Sequence, residues 1–163
     1  MHSALERIIR PVIKLAEYAI IVLGILMVLI VFLQVILRYS TDLSFYGSEE
    51  LTRFMLSWFI FLSAAVGLDR GIHFAVDTFT GRFPHRVARV VAFIAQLVVL
   101  TMLLIFFVKG IDMTVRNWRQ ASSALEIPMS FGNAAIPTAA LLMIAIVLRD
   151  IFKMPSRNAV HGD

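Results

Sequence analysis

The sequence predicts an all-α integral membrane protein with four transmembrane helices, and three observations carry that prediction. The chain is 60% hydrophobic over 163 residues, with a mean hydropathy of +0.85. Only 16% of its residues are charged, where a soluble domain has about 25%. The apolar residues gather in four runs, with the charges at the ends of each. Water cannot accommodate that much apolar surface on so short a chain, so the bilayer is the solvent. There is no cysteine, which excludes disulfides, thiolate metal sites and cysteine nucleophiles. The net charge of +4 flanks the apolar runs instead of forming a patch interleaved with aromatics, which argues against nucleic acid.

Residues 1–17 place Leu5, Ile8, Ile9, Val12, Ile13 and Ala16 among Glu6, Arg7, Arg10, Lys14 and Glu17. Apolar residues every three or four positions suggest a short amphipathic helix lying in the membrane interface, broken at Pro11. The run that follows is twenty residues long, Tyr18 to Leu37, and no small-residue cleavage site follows it. It reads as a retained span over about 18–38, not as a signal peptide.

The second span, about 49–69, opens with Ser48 as N-cap and Glu49, Glu50 and Arg53 in its first turns. Its fifteen uncharged residues, Phe54 to Leu68, rise only about 22 Å, less than the roughly 30 Å of hydrocarbon. The helix therefore carries Arg53 towards the membrane edge, where a charge must be paired or face water. It is expected to stop at Gly71. An ion pair between Arg38 and Glu49 or Glu50 is the simplest way to tie the first two helices across their short loop. Trp58 reads first as an interfacial anchor and second as a lock against a neighbour.

A third span covers about 88–109, with Pro84 ahead of it and Gln96 expected to face inward. Ile111, Val115 and Trp118 continue the helical pattern past Lys109, so this helix should project beyond the bilayer. The fourth span, about 130–149, contains Pro137. The twelve residues from Pro137 to Leu148 rise about 18 Å and cannot cross, so the helix must start near Ser130 and kink at the proline. The freed carbonyl is that of Asn133. Residues 150–163 form a short polar tail. Four spans place both termini on one side. Ten basic residues against five then favour the cytoplasm for both.

The chemistry is sparse. The four histidines lie outside the apolar runs, which disfavours a haem held between helices. His73 and Asp77, at i and i+4, could share a helix face, but as a metal site they lack two ligands. They read as a structural polar pair beside Arg70, Arg82, Arg86 and Arg89 at the headgroup level. The span centres hold no ionisable residue of the kind a self-sufficient coupled transporter uses. What stands out is small-residue faces, Ser63 with Gly67 and Ala134, Ala135, Thr138 and Ala139, the second beside Asn133 and Pro137. Such faces serve either packing inside the bundle or contact with another subunit. A membrane anchor for a redox enzyme and a self-contained small transporter remain as alternatives.

Three segments carry a resemblance to a known family. These are QVILRY at the end of the first span, EEL with Trp58 and GLDRGIHFAVD in the second helix, and ALEIPMSFGNAAIP before the fourth. Together they resemble the small (DctQ-like, Q) membrane subunit of tripartite ATP-independent periplasmic (TRAP) transporters. One departure is Ser63-Ala64-Ala65, where that family often has a glycine-alanine step.

The resemblance implies a non-catalytic multi-pass protein of the bacterial inner membrane, with no cofactor and no substrate or ion site of its own. It implies two partners: a large membrane subunit, in a stable heterodimer, and a transient periplasmic solute-binding protein. Together they would import organic acids, of dicarboxylate or sialic-acid type, with sodium. This chain would brace the large subunit's scaffold. Arg116, Trp118 and Arg119, at the projecting end of the third helix, then become the expected docking residues for the binding protein.

Overall fold

A computed structural model describes the backbone over residues 2–41, 47–80 and 85–153, and most side chains within those ranges. Four helices in it are long and apolar enough to cross a membrane. The elements are α1 (His2–Thr41), α2 (Ser48–Thr80), α3 (His85–Arg116), the single turn α4 (Ser130–Asn133) and α5 (Ala135–Lys153). A 3-10 turn, Asn117–Arg119, closes α3. All-α architecture is what the hydropathy pattern requires, since helices satisfy their own backbone where no water can.

The helix α5 is the centre of the bundle. It packs against α3, α2 and α1, while α1 packs mainly against α2. Two apolar clusters fill the interior. One joins Ile9, Ile13 and Ala16 of α1 to Val66 and Ile146. The other joins Ala65 and Leu103 to Ala139, Met143 and Val147. The outward faces are as apolar as the interior: Val28, Leu29 and Phe32 on α1, and Val98, Met102 and Ile105 on α3, are all exposed. In water that surface would drive aggregation. Against lipid it is the ordinary exterior of a membrane protein.

Several expectations are corrected. Residues 1–17 are not a separate interfacial helix, because α1 runs through Pro11 without a break. A proline deletes one backbone bond, and residues before and after it sustain the helix. Ile9, Ile13 and Ala16 of this segment are buried against Val66 of α2 and Ile146 of α5, while Val12 is exposed. Likewise α2 passes Gly71 and ends at Thr80. A glycine in a helix costs only about 1 kcal/mol, which the thirty or so other residues outweigh. The third helix does continue past Lys109, as far as Arg116.

The fourth span is broken where the proline demands it. Backbone bonds run from Ala134 N to Ser130 O (2.8 Å) and from Thr138 N to Ala134 O (3.2 Å), and α4 gives way to α5 at Ala134. Helix α3 crosses this break closely. A Cβ on Gly110 would stand 3.0 Å from Pro137 Cδ and from Ile136 Cγ2. Gln96 is buried, as expected, and the Thr101 hydroxyl returns to the Leu97 carbonyl at 2.8 Å.

Candidate functional site

The ionisable side chains lie towards the ends of the apolar spans, and several of them tie the helices together at two levels. At one end stands Glu50, half-buried in the first turn of α2. Residues 120–129 fold back as a hairpin, with Ser122 N donating to Ile127 O and Met129 N to Gln120 O, each at 2.9 Å. An isolated antiparallel bridge pairs Ala121 with Pro128, and Glu126 takes a positive φ of 55° at the turn. Three consecutive amides of this hairpin then point at one carboxylate. Ser123 N reaches Glu50 Oε1 at 2.9 Å, while Ala124 N and Leu125 N reach Oε2 at 3.0 and 3.1 Å. Such a nest of successive N–H groups is a ready-made anion site, here filled from within the chain.

Two glycines allow the close approach. Gly47, just before α2, has φ 87°, and a Cβ there would sit 2.8 Å from Leu125 Cδ2. A Cβ on Gly132 would meet Phe54 Cδ1 at 2.6 Å, so α4 lies flat on the Phe54 ring. Only glycine suits either position.

Trp58 belongs to the same assembly. Its indole N–H donates to the Phe131 carbonyl at 2.9 Å, so it locks α2 to the α4 turn. On the outer side of that turn the Phe131 ring stacks on Trp118, with centroids 6.5 Å apart. Trp118 and Phe131 remain exposed, as do Arg116 and Arg119, and Arg116 pairs with Asp112 at 2.9 Å.

Arg38 does not close the first loop in the expected way. Among the described residues no ion pair joins it to Glu49 or Glu50. Glu49 instead pairs with Arg53 one turn along, at 3.3 Å, and Glu50 is taken by the hairpin. The reason is geometric: three convergent N–H groups offer a carboxylate more than one mobile guanidinium across a loop. A cleft of about 160 Å³ opens beside Glu50, between α2, the hairpin and α4. Arg53, Ser57 and Asn133 line it.

At the opposite end Arg149 lies between two carboxylates. Its Nη1 is 2.7 Å from Asp69 Oδ1 and its Nε 2.9 Å from Asp150 Oδ1. The side chains of Arg149 and Asp150 are only 9% and 4% exposed, and that of Asp69 23%. Nearby, Arg70 reaches Glu17 at 2.6 Å and joins α2 to α1 on the surface. His73 and Asp77 are on the same helix, but their side chains, with those of Arg82, Arg86 and Arg89, lie outside the described residues.

The two small-residue faces part company. Ala135 and Ala139 are fully buried in the bundle. Ser63 is half-buried, and Gly67 faces outward, with nothing within 4 Å of a Cβ placed on it.

A family model described as tripartite ATP-independent periplasmic transporters, DctQ component, matches residues 27–155, from within α1 to beyond the end of α5. The chain belongs to this family. A Haemophilus influenzae protein that carries the provisional name TRAP transporter small permease protein is 29% identical over 75 residues. That match covers 46% of this chain and 47% of the relative, so the chain spans about half the length of the curated relative it matches.

In this DctQ component, sequence reasoning missed the partner of Glu50 and the Asp69–Arg149–Asp150 cluster. A signal for the second existed. Asp69 and Arg149 each end an apolar run, on two helices that cross in the same direction. Glu50→Gln should loosen the hairpin, because an amide oxygen accepts less strongly than a carboxylate and the new NH₂ faces other donors. Hydrogen exchange at Ser123, Ala124 and Leu125 should rise well above wild type while the α5 amides keep their protection. Unchanged exchange at those three amides would mean that the carboxylate does not hold the loop.

Proposed function

We propose that this chain is the small, non-catalytic membrane subunit of a sodium-coupled, binding-protein-dependent importer of organic acids, of dicarboxylate or sialic-acid type. It braces the stationary scaffold of a large transport subunit, with which it forms a stable heterodimer, and a periplasmic solute-binding protein engages the pair transiently. The setting is the bacterial inner membrane with both termini in the cytoplasm, so the Glu50 end faces the periplasm and the Arg149 end the cytoplasm.

One observation carries the reading. Glu17, Glu50, Asp69, Arg70, Arg149 and Asp150 are engaged in ties within the chain, while α2 turns Ala64 and Gly67 outward as an open face. Without bulky side chains, such a face lets another helix approach closely, and close packing is what drives helix association in lipid. The family membership supports the same role.

The test is reconstitution. Proteoliposomes with the large subunit, the binding protein and a sodium gradient should take up substrate only when this chain is present. Uptake by this chain alone, or full uptake without it, would refute the assignment. The exposed Arg116, Trp118 and Arg119 supply the docking surface for the binding protein. Reversing Arg116 and Arg119 to glutamate should leave the membrane complex intact and lower uptake severalfold, with the loss chiefly in the association rate, as for charges at an interface rim. Loss of the large subunit from this double variant would show that the surface belongs to the membrane interface instead.

A further inference from the structure

We propose that the cleft beside Glu50 receives a carboxylate side chain from the large membrane subunit and so fixes the register of a partner helix along the open face of α2. This rests on the reading of the chain as the small partner of a larger membrane subunit. The cleft holds about 160 Å³, below the roughly 300–1,000 Å³ typical of small-molecule sites. That is room on the scale of a single side chain.

Its chemistry selects an acceptor. Glu50 lines the cleft, but its two oxygens already take three hairpin N–H groups. The Ser57 hydroxyl is turned back on the Arg53 carbonyl at 3.1 Å. What stays unengaged includes two donors, the Asn133 side-chain NH₂ and most of the Arg53 guanidinium, which Glu49 contacts through Nη2 alone, beside the Asn133 amide oxygen and the Ser122 hydroxyl. A guanidinium has five N–H donors, and an exposed pair such as Arg53–Glu49 exchanges easily.

The position selects the source. Arg53, Ile60, Ala64 and Gly67 recur at intervals of seven, four and three residues and are all exposed, so they form one lane down α2. The cleft stands at the head of that lane. A helix packed along it would bring its own end to Arg53 and Asn133, and a carboxylate there would be desolvated against Phe54 and Gly132 on the cleft wall.

The test compares Arg53→Glu, Ser57→Phe and Gly67→Leu, each co-expressed with a tagged large subunit. Co-purification is measured across a salt series, and the melting temperature of the isolated small chain serves as a control. Arg53 is largely exposed, so Arg53→Glu should fold normally whatever happens to Ser57→Phe. Both cleft variants should lower co-purification by about tenfold, with Arg53→Glu rescued when an outer-end carboxylate of the large subunit is changed to lysine. If Gly67→Leu separates the subunits and Arg53→Glu does not, the cleft proposal fails and the partner reading stands. If neither separates them, the partner reading fails as well. Loss of a bound phospholipid by mass spectrometry, with the subunits still together, would also overturn the proposal, because the occupant would then be a lipid phosphate.

Discussion

Arg149→Ala should destabilise the isolated chain by about 3–5 kcal/mol, the cost of removing one partner from a buried ion pair. The substitution leaves two carboxylates, Asp69 and Asp150, at the inner end of the bundle with no other ion pair within 4 Å among the described residues. It also strips the contact that holds α5 to α2 at that level. Thermal unfolding in detergent is the measurement. Asp150→Asn should cost less, because Arg149 keeps Asp69 and the neutral amide needs no counter-charge. A third variant separates pairing from packing. Replacing Asp69, Arg149 and Asp150 together by leucine, methionine and leucine should restore much of the lost stability, since apolar groups of similar size often substitute well for a buried ionic cluster. An Arg149→Ala chain that melts with wild type would mean that water reaches the cluster and screens it.

Gly67→Leu and Ala135→Leu should fail in different ways, although both put a large side chain on a small-residue face. Ala135 is 1% exposed inside the bundle. Leucine there overpacks the core at a cost of about 1–3 kcal/mol or more, so the chain itself should melt earlier. Around Gly67 a Cβ meets nothing of this chain. Leucine there should not lower the melting temperature, and its better helix propensity, about 1 kcal/mol, should raise it by a few degrees. Its damaging effect should appear only when the large subunit is present, as loss of co-purification and of sodium-driven uptake. Should Gly67→Leu lower the melting temperature of the isolated chain as much as Ala135→Leu, the open face would not be open.

The four crossing helices, the continuation of the third past Lys109 and the interruption near Pro137 were legible in the sequence, for a common reason. Each follows from a local rule: hydrocarbon thickness, the rise of a helix, or the N–H that proline lacks. Gly71 and Pro11 show where local rules lose. Both mark helix ends in short peptides, yet each costs only about 1–3 kcal/mol, which the remaining residues of a long helix outweigh. The site was less legible. Glu49, Glu50, Arg53, Trp58, Arg70 and Asn133 stand out in the sequence, but the partners they have in the fold were mostly not those the sequence suggested. Arg38 and Glu50 lie close in sequence, and nearness suggested the pair. The true partners of Glu50 are backbone amides more than seventy residues away, and an amide leaves no trace in a side-chain pattern.

By itself, then, the sequence determined the solvent, the number of crossings and which residues could not be ordinary lipid-facing side chains. Those are properties of segments, set by transfer free energy and by the backbone bonds a helix must close within itself. Only the tertiary structure decided which small-residue face is closed and which is open. Ala135 and Gly67 look alike as letters, and what separates them is the direction each takes from its helix axis once α5 has settled between α2 and α3. The same packing brought Asp69 to Arg149 and the 120–129 hairpin to Glu50. In a bilayer apolar burial does not discriminate one helix neighbour from another, so these contacts, polar or close-packed, are what select the arrangement.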